Sequence, residues 1–228
     1  MNTLNVISIP FYEFTADEAL TDSVLEDVKK TALNQKGPGG NMFGYGNDNS
    51  YYFHSELFDF FDKCLLEVKE KLSIKSDIDL PITMCWVNKM NKLQHHHPHE
   101  HANSIFSGIF YLTTQESSIT NFIFPNPWFD RLRDPQLYCF DSEGSGLPKN
   151  LPTLSGKVKP VKGKLLLFPS GFTHNVTPLV ENNERYSIAF NTYVSGNFAS
   201  IDEKTIFLQL KAKSVRDRVE ENKAQAKN

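Results

Sequence analysis

Five of the seven histidines in this 228-residue chain lie within the segment Gln94-His95-His96-His97-Pro98-His99-Glu100-His101. In an extended segment alternate residues share a face, so His97, His99 and His101 could point the same way. His96 and Glu100 would then face the other side. Imidazole suits iron, zinc, copper and nickel, and any adjacent pair on one face could bind a single ion. The cluster therefore predicts a metal site, while its spacing alone does not name the metal.

A third metal ligand is expected from a distant part of the chain. A mononuclear site needs one more protein ligand, while its remaining positions stay open to substrate and oxygen. His174 is the candidate, because it follows residues 163–169, which read as a strand whose end can aim a side chain into a cleft. His54 lies near the start of a helical segment, and we expect it to be structural.

Arg185 and Ser187 form a second candidate site further along the chain, in a run that reads as a strand. The two residues share one face of that strand. A guanidinium binds a carboxylate through two parallel N–H bonds, and a neighbouring hydroxyl adds a third donor, so the pair suits the far end of a dicarboxylate. The alternative is an edge-strand arginine paired with an acid such as Glu184. The histidines favour the first interpretation.

Two helices and a set of short strands must position these side chains. Apolar residues recur every three to five positions in residues 20–32 and 57–72, which predicts two amphipathic helices over one face of a sheet. Ser55 is the expected N-cap of the second helix. Short β-prone runs follow at residues 82–87, 105–112, 121–124, 164–169, 185–194 and 205–210. Residues 211–228 predict a solvated helix or a frayed end.

Composition limits the class of protein. Aromatic residues make up 12% of the chain, so rings must fill a sheet interior, and Trp86 and Phe168 are assigned mainly to that core. A formal net charge of −3 gives no field that would hold a phosphate backbone, so neither nucleic acid nor membrane binding is expected. Three widely spaced cysteines, no basic leader and no long apolar run predict a cytoplasmic protein.

From residue 86 to residue 194 the sequence resembles the 2-oxoglutarate- and iron(II)-dependent oxygenase superfamily. The similarity is greatest to an uncharacterised, prolyl-hydroxylase-like subgroup from marine bacteria and their phages. The residues that carry the resemblance are Trp86-Val87-Asn88, His99-Glu100-His101-Ala102-Asn103-Ser104, Ser107-Gly108, Tyr111-Leu112, residues 163–170, His174, Arg185-Tyr186-Ser187 and Phe190-Asn191. The superfamily fold is a double-stranded β-helix, a cupin-like jelly roll. We therefore expect a mainly β protein with flanking helices.

The resemblance places the metal ligands on His99 and His101, with His174 as the distant third ligand. The superfamily usually has a His-x-Asp or His-x-Glu pair, and this chain departs from that pattern because His101 stands at the carboxylate position. A three-histidine site carries one more positive charge than a site with a carboxylate. His97 and Glu100 remain alternative ligands.

The same resemblance implies the cofactors and their other binding residues. The metal would be Fe(II), with 2-oxoglutarate and O2 as co-substrates. Arg185 and Ser187 would bind the distal carboxylate of 2-oxoglutarate, Tyr111 would assist them, and Asn88 is a further candidate for the same pocket. The implied reaction is hydroxylation of a substrate, coupled to oxidative decarboxylation of 2-oxoglutarate.

The expected organisation is a single oxygenase domain. Residues 1–79 would form a helical support, 80–198 the β core, and 199–228 a C-terminal strand and tail. The connection at residues 125–159, with Trp128 and Phe129, would shape the substrate cleft or cover it. The substrate would be a protein or peptide proline or a small molecule, and the sequence does not indicate an oligomeric state.

Two alternatives to this function remain open from the sequence. The first is a cupin-like metalloenzyme whose three-histidine site does not use 2-oxoglutarate. The second is a non-catalytic metal-binding module. Arg185 distinguishes the first alternative, since only a 2-oxoglutarate enzyme needs its guanidinium for a dicarboxylate.

Overall fold

The computed structural model describes residues 11–31, 33, 35–44, 52–123, 155–199 and 207–225, which form fourteen strands and three helices. The helices are α1 (Glu18–Lys30), α2 (Ser55–Lys71) and α3 (Val215–Gln225). The strands are β1 (Tyr12–Thr15), β2 (Gln35–Lys36), β3 (Met42–Gly44), β4 (Ile78–Asp79), β5 (Ile82–Met90), β6 (His96–His99), β7 (Phe106–Tyr111), β8 (Thr120–Ile123), β9 (Ser155–Val158), β10 (Lys164–Pro169), β11 (Thr173–Val176), β12 (Arg185–Thr192), β13 (Ser195–Ala199) and β14 (Phe207–Leu210).

The strands form two facing antiparallel sheets and one small accessory sheet. The large sheet has the strand order β1-β10-β7-β12-β5-β3-β2, the small sheet β6-β11-β8-β9, and the accessory sheet β14-β13-β4. Phe122 of the small sheet packs edge-on against Phe168 of the large sheet, with ring centroids 4.8 Å apart. The expected mainly β jelly roll with flanking helices is therefore confirmed.

The outer face of the large sheet packs against the helices. Ile188 and Phe190 of β12 are fully buried there, together with Phe110 of β7 and Phe61 of α2. A Cβ at Gly108 would lie 2.3 Å from the Phe190 ring, so only glycine fits opposite that phenylalanine. This confirms the expectation that helices cover one face of the sheet.

The inner face of the large sheet carries polar side chains at its centre. Ser187 of β12 pairs directly with Asn88 of β5 on one side and with Tyr111 of β7 on the other. Residues that pair directly across antiparallel strands project to the same face, so these three form a row. Arg185, two residues before Ser187, lies on that face as well.

The N-terminal caps of α1 and α2 are side chains that accept a hydrogen bond from a free backbone N–H group of the first turn. Asp17 caps α1 through Leu20 N, at 2.7 Å. His54 caps α2 through its Nδ1 and Leu57 N, at 3.4 Å, so the cap is His54 and not Ser55, which begins the helix. This gives His54 the structural role expected of it.

The chain after residue 210 forms a helix that packs onto the domain instead of fraying. Val215 is fully buried, and Arg216 donates to Asp59 and Asp62 of α2 at 2.9 Å each. Of the predicted connection at 125–159, residues 125–154, which include Trp128 and Phe129, lie outside the described residues. Its last part is a strand, β9, and not a loop. None of the described helices is long and apolar enough to cross a membrane.

Candidate metal centre

Three histidines from two neighbouring strands and the segment after β6 converge at one edge of the sandwich. His99 of β6 pairs directly with His174 of β11, and the centroids of their rings lie 4.3 Å apart. The ring of His101 lies 5.3 Å from that of His99 and 5.0 Å from that of His174. One nitrogen from each ring lies within 4.8 Å of the other two. These are the three residues that the resemblance assigns as ligands.

The hydrogen bonds of the three rings fix which nitrogen is free for a metal. Nδ1 of His99 lies 2.7 Å from the carbonyl oxygen of His97, and Nδ1 of His174 lies 3.0 Å from that of Phe172. Nδ1 of His101 lies 2.6 Å from Oδ1 of Asn191. Since these oxygens only accept, each Nδ1 carries the proton and donates. Nε2 is therefore the nitrogen of each ring that is left to bind a metal.

A polar network behind His101 was not predicted as a functional feature. The Ser107 hydroxyl lies 2.8 Å from Nδ1 of His101 and donates to Asn191 Oδ1 at 2.9 Å. Ser170 lies 2.8 Å from Ser107, and Ser104 lies 2.7 Å from Ser170. Asn191 belongs to the residues that carry the family resemblance, and that was its only signal in the sequence.

Two of the three rings are neutral at ordinary pH, which is the form that binds metals. Burial lowers the pKa of His174 to about 3, and the neighbouring His99 acts in the same direction. Burial lowers the pKa of His101 to about 4, although the hydrogen bond with Asn191 opposes this. Protons therefore do not compete for these two nitrogens near neutral pH.

The alternative ligands lie outside this group. His97 and Glu100 are exposed, and neither joins the cluster of three that the described residues form. The strict alternation expected of an extended segment fails at His96, whose Nε2 is buried and which interacts electrostatically with His99 and His174. The pairing of β6 with β11 shifts register between His174 and Val176, and such an irregularity re-aims side chains.

Arg185 is fully buried, with 1% of its surface exposed, and no carboxylate pairs with it among the described residues. Its Nη1 donates to the Ser187 hydroxyl at 3.1 Å and contacts the Met90 sulfur at 3.7 Å, while its Nε has no partner. Burial lowers its pKa. A buried charge without a counter-ion is costly, so this guanidinium is suited to a bound anion.

The acid that could have neutralised Arg185 is engaged elsewhere. Glu184 forms an ion pair with Lys89 at 2.5 Å and accepts from the Tyr186 hydroxyl at 2.8 Å. The interpretation of Arg185 as an edge-strand arginine paired with Glu184 is therefore wrong, because adjacent strand residues project to opposite faces of the sheet.

The other predicted co-substrate residues surround Arg185. Ser187 and Asn88 are buried beside it in the row described above. Its guanidinium lies 5.6 Å from the centre of the Tyr111 ring. The Tyr111 hydroxyl shares a hydrogen bond of 2.9 Å with Thr120 of the small sheet, and burial raises its pKa, so it stays a neutral donor or acceptor. The structure thus brings all four residues together.

A cleft of about 450 Å³ opens in front of the histidines. Its walls include His99, His101, Asn88 and Asn191 on one side, and its apolar part is formed by Pro38, Phe43, Met84, Trp86 and Pro98. Trp86 is half-buried with its ring 5.6 Å from that of His101, so its assignment to the core is wrong, whereas Phe168 is a core residue as expected. Both side chains lie on the inner face, but Trp86 lies where that face borders the cleft.

The donor set fits iron(II) and a dicarboxylate. Three imidazoles with Nε2 available suit a first-row divalent metal, and ligands on one side leave the remaining positions open. The buried Arg185 has the unpaired charge that a co-substrate carboxylate would neutralise. The site differs from a two-histidine, one-carboxylate centre only at His101, which Asn191 and Ser107 orient.

Comparison with known proteins agrees with this geometry. Residues 84–191 match the sequence pattern of a family described as putative 2OG-Fe(II) oxygenase. That range contains all three histidines, Arg185 and the three predicted co-substrate residues around it. No curated protein matches the chain.

Solved structures match the fold of the chain at low sequence identity. A prolyl-4-hydroxylase from Pseudomonas putida is 14% identical, with a TM-score of 0.52 over 82% of this chain and 94% of that one. HygX from Streptomyces hygroscopicus, solved with nickel and 2-oxoglutarate bound, is 12% identical, with a TM-score of 0.53 over 89% and 93%. The α-ketoglutarate-dependent epimerase SnoN from nogalamycin biosynthesis is 10% identical, with a TM-score of 0.55 over 90% of each chain.

Proposed function

We propose that this 2-oxoglutarate- and iron(II)-dependent oxygenase, which carries the family pattern at residues 84–191, is a hydroxylase. The enzyme uses Fe(II), with 2-oxoglutarate and O2 as co-substrates. The proposal is carried by three converging imidazoles together with a buried arginine that has no counter-ion among the described residues. Asn88, in the row of residues beside Arg185, lines the same cleft as His99 and His101. Hydroxylation is the more specific half of the proposal, because proteins of this fold include an epimerase as well as hydroxylases.

In this proposal each residue has a distinct task. His99, His101 and His174 hold iron(II) through Nε2, with Nδ1 donating to the protein. Arg185 and Ser187 fix the distal carboxylate of 2-oxoglutarate, and Tyr111 and Asn88 complete that pocket. When bound, the metal and co-substrate supply the oxidising chemistry, in which 2-oxoglutarate is decarboxylated to succinate while one oxygen atom is inserted into a substrate C–H bond. The aromatic wall of the cleft excludes water beside the metal.

The substrate that we propose has an uncharged segment at the point of reaction. Apart from histidines, the described residues around the cleft contribute only apolar and amide side chains, such as Phe43, Trp86 and Asn41. Charged groups would be desolvated there without a partner, whereas apolar surface and peptide-like amides would not. Peptides and neutral small molecules fit this description, and proteins of similar fold include enzymes with each kind of substrate.

Anaerobic titration of the purified protein with iron(II) and then 2-oxoglutarate tests the proposal. Chelation of a 2-oxo acid by iron(II) gives a weak visible charge-transfer band, which we expect in the wild type. In Arg185→Met the band should require at least about 100-fold more 2-oxoglutarate, since a charge-assisted bidentate contact is lost. Lys89→Met, on the neighbouring strand, is the matched control and should titrate as the wild type does.

Two results would contradict the proposal. Stoichiometric iron binding without any band would favour a cupin-like metalloenzyme that does not use 2-oxoglutarate, and no uptake of iron would favour a non-catalytic module. Hydroxylation itself is tested by mass spectrometry. Turnover with a substrate identified from cell extract should add 16 Da and incorporate one atom from ¹⁸O2, and a product of unchanged mass would point to another outcome, such as epimerisation.

A further inference from the structure

We infer that His96 is a fourth histidine of the site: it does not bind the metal, and its Nε2–H donates a hydrogen bond to the same 2-oxoglutarate carboxylate that Arg185 holds. This inference rests on the proposed function, because it assumes that 2-oxoglutarate is the anion next to Arg185. It concerns a residue that neither the spacing of the histidines nor the family resemblance assigned.

The course of β6 brings His96 into the site. His99 pairs with His174 and His96 pairs with Val176, so three residues of β6 span two residues of β11. The extra residue forms a bulge, which changes the alternation of faces. The rings of His96 and His99 therefore lie on the same side of the strand, with centroids 6.4 Å apart, although the residues are three positions apart, and Nε2 of His96 is buried. His97, between them in the chain, is exposed.

Nε2 of His96 lacks a partner in a place where a partner is expected. It is buried, and the described residues offer it no hydrogen bond. Almost all buried polar groups in proteins are hydrogen-bonded, and an unmade bond costs about 1–3 kcal/mol. His96 also borders the cleft in front of the metal ligands, so a molecule bound there could reach this atom.

The charges around His96 indicate which kind of ligand would satisfy it. Arg185 makes the largest of its electrostatic interactions, ahead of those with His99 and His174. An imidazole ring carries at least one N–H in either protonation state, so His96 can donate a hydrogen bond. Nε of Arg185 is also unpartnered. A single bound carboxylate can accept from both Nε2 of His96 and Nε of Arg185. The described residues that line the cleft include no acidic side chain that could do so.

His96 is not a fourth metal ligand in this structure. The cluster whose nitrogens all lie within 4.8 Å of one another consists of His99, His101 and His174 and does not include His96. His96 lines the cleft together with Asn88, which pairs with Ser187 beside Arg185, so we place it at the far end of the co-substrate and not at the metal. Its removal should therefore change binding of the co-substrate and leave binding of the metal intact.

The test compares two 2-oxo acids in protein loaded anaerobically with iron(II). His96→Leu removes the donor at similar volume, and His96→Gln keeps an N–H at a similar reach. The dissociation constant of 2-oxoglutarate, from the charge-transfer band, should rise about 10- to 100-fold in His96→Leu and less in His96→Gln. The constant for 2-oxobutyrate, which lacks the distal carboxylate, should stay the same in all three proteins.

The controls separate this inference from the proposed function. The iron(II) dissociation constant should be unchanged in both variants, and His95→Leu, a neighbouring histidine outside the cleft, should behave as the wild type. A loss of iron binding in His96→Leu and His96→Gln would make His96 a metal ligand and overturn the inference. Unchanged 2-oxoglutarate binding in His96→Leu, with the Arg185 dependence intact, would overturn it while leaving the proposed function standing. If wild type binds no 2-oxoglutarate, both fail.

Discussion

His101 occupies the position where the oxygenase family that the sequence resembles usually has a carboxylate, and neutral side chains behind it orient its ring. A histidine that binds a metal through one ring nitrogen commonly donates the N–H of the other nitrogen to a carboxylate or a backbone carbonyl. His99 and His174 follow that pattern with carbonyl oxygens, whereas His101 donates to the neutral amide of Asn191 and the hydroxyl of Ser107. The amide fixes the ring orientation and adds no charge next to the metal. Asn191 thus orients the metal ligand His101 without being a ligand itself.

Replacement of Asn191 by Leu should weaken metal binding by about 10- to 100-fold, because His101 loses the acceptor that keeps its proton on Nδ1. Asn191→Asp keeps an acceptor and should retain or increase the affinity. Titration of the apoprotein with cobalt(II), followed by its visible absorption, measures both constants. Asn197→Leu, at an exposed asparagine of β13, is the control. Equal affinities in wild type and Asn191→Leu would show that Ser107 alone orients the ring.

The turn before β3 is the element that supports the histidine segment from outside. Gly37 donates to the Asn41 carbonyl at 2.9 Å, and His95 N donates to the Gly39 carbonyl at 3.2 Å. Gly40 also forms an isolated bridge with His95. A Cβ at Gly39 would lie 2.0 Å from the His95 carbonyl oxygen, so this contact requires glycine. The turn holds the histidine segment at the rim of the cleft.

Gly39→Ala should therefore separate the turn from the histidine segment. We expect the amide of His95 to exchange with deuterium faster, together with residues 37–41, and the melting temperature to fall by about 2–8 °C, as for other strained small-to-large changes. Hydrogen exchange followed by mass spectrometry localises the effect. Gly171→Ala is a matched control, because its Cβ would have no atom within 4 Å. Unchanged exchange at His95 would mean that the turn does not support the segment.

Strands with a repeating apolar pattern could be predicted from the sequence, and strands without one could not. The runs at β5, β7, β10 and β12 were located, although β5 extends to Met90, beyond the predicted residue 87. β6 has the sequence His-His-Pro-His, with no apolar residue, so nothing indicates that it pairs with β11. The bulge in β6 arises from its pairing with β11, and the local sequence of β6 does not indicate which strand it pairs with. The burial of Nε2 of His96 follows from that pairing, so the sequence does not predict it.

At the scale of the whole molecule, the two sheets contribute different halves of the candidate site. His99 and His174 lie on the small sheet, whereas Arg185, Ser187 and Tyr111 lie on the large sheet. The sequence predicted both sets, because the histidine cluster, the strand pattern around Arg185 and Ser187, and the family resemblance each indicate some of these residues. It could not predict the distance between them, since that depends on how the sheets pack. The single domain with divisions at residues 79 and 198 stays a prediction.

We expect Arg185 to destabilise the free protein, because it is a buried charge without a counter-ion among the described residues. Removal of a buried charge that has no partner relieves a desolvation cost, so Arg185→Met, next to Met90, should melt about 2–4 °C higher than wild type without ligands. Added 2-oxoglutarate with nickel(II) should raise the melting temperature of the wild type and not that of the variant. Scanning calorimetry measures both, and a lower melting temperature for free Arg185→Met would mean that the guanidinium is structural.

If Arg185 destabilises the free protein, the amount of folded enzyme would depend on the supply of 2-oxoglutarate. A ligand that binds only the folded state stabilises it in proportion to the logarithm of its concentration. The unpaired guanidinium of Arg185 would lower the free energy of unfolding of the free protein, and a bound carboxylate would restore it. When 2-oxoglutarate is scarce, a larger fraction of the chains would be open to proteases. The lifetime of the enzyme, and not only its rate, would then follow central carbon metabolism.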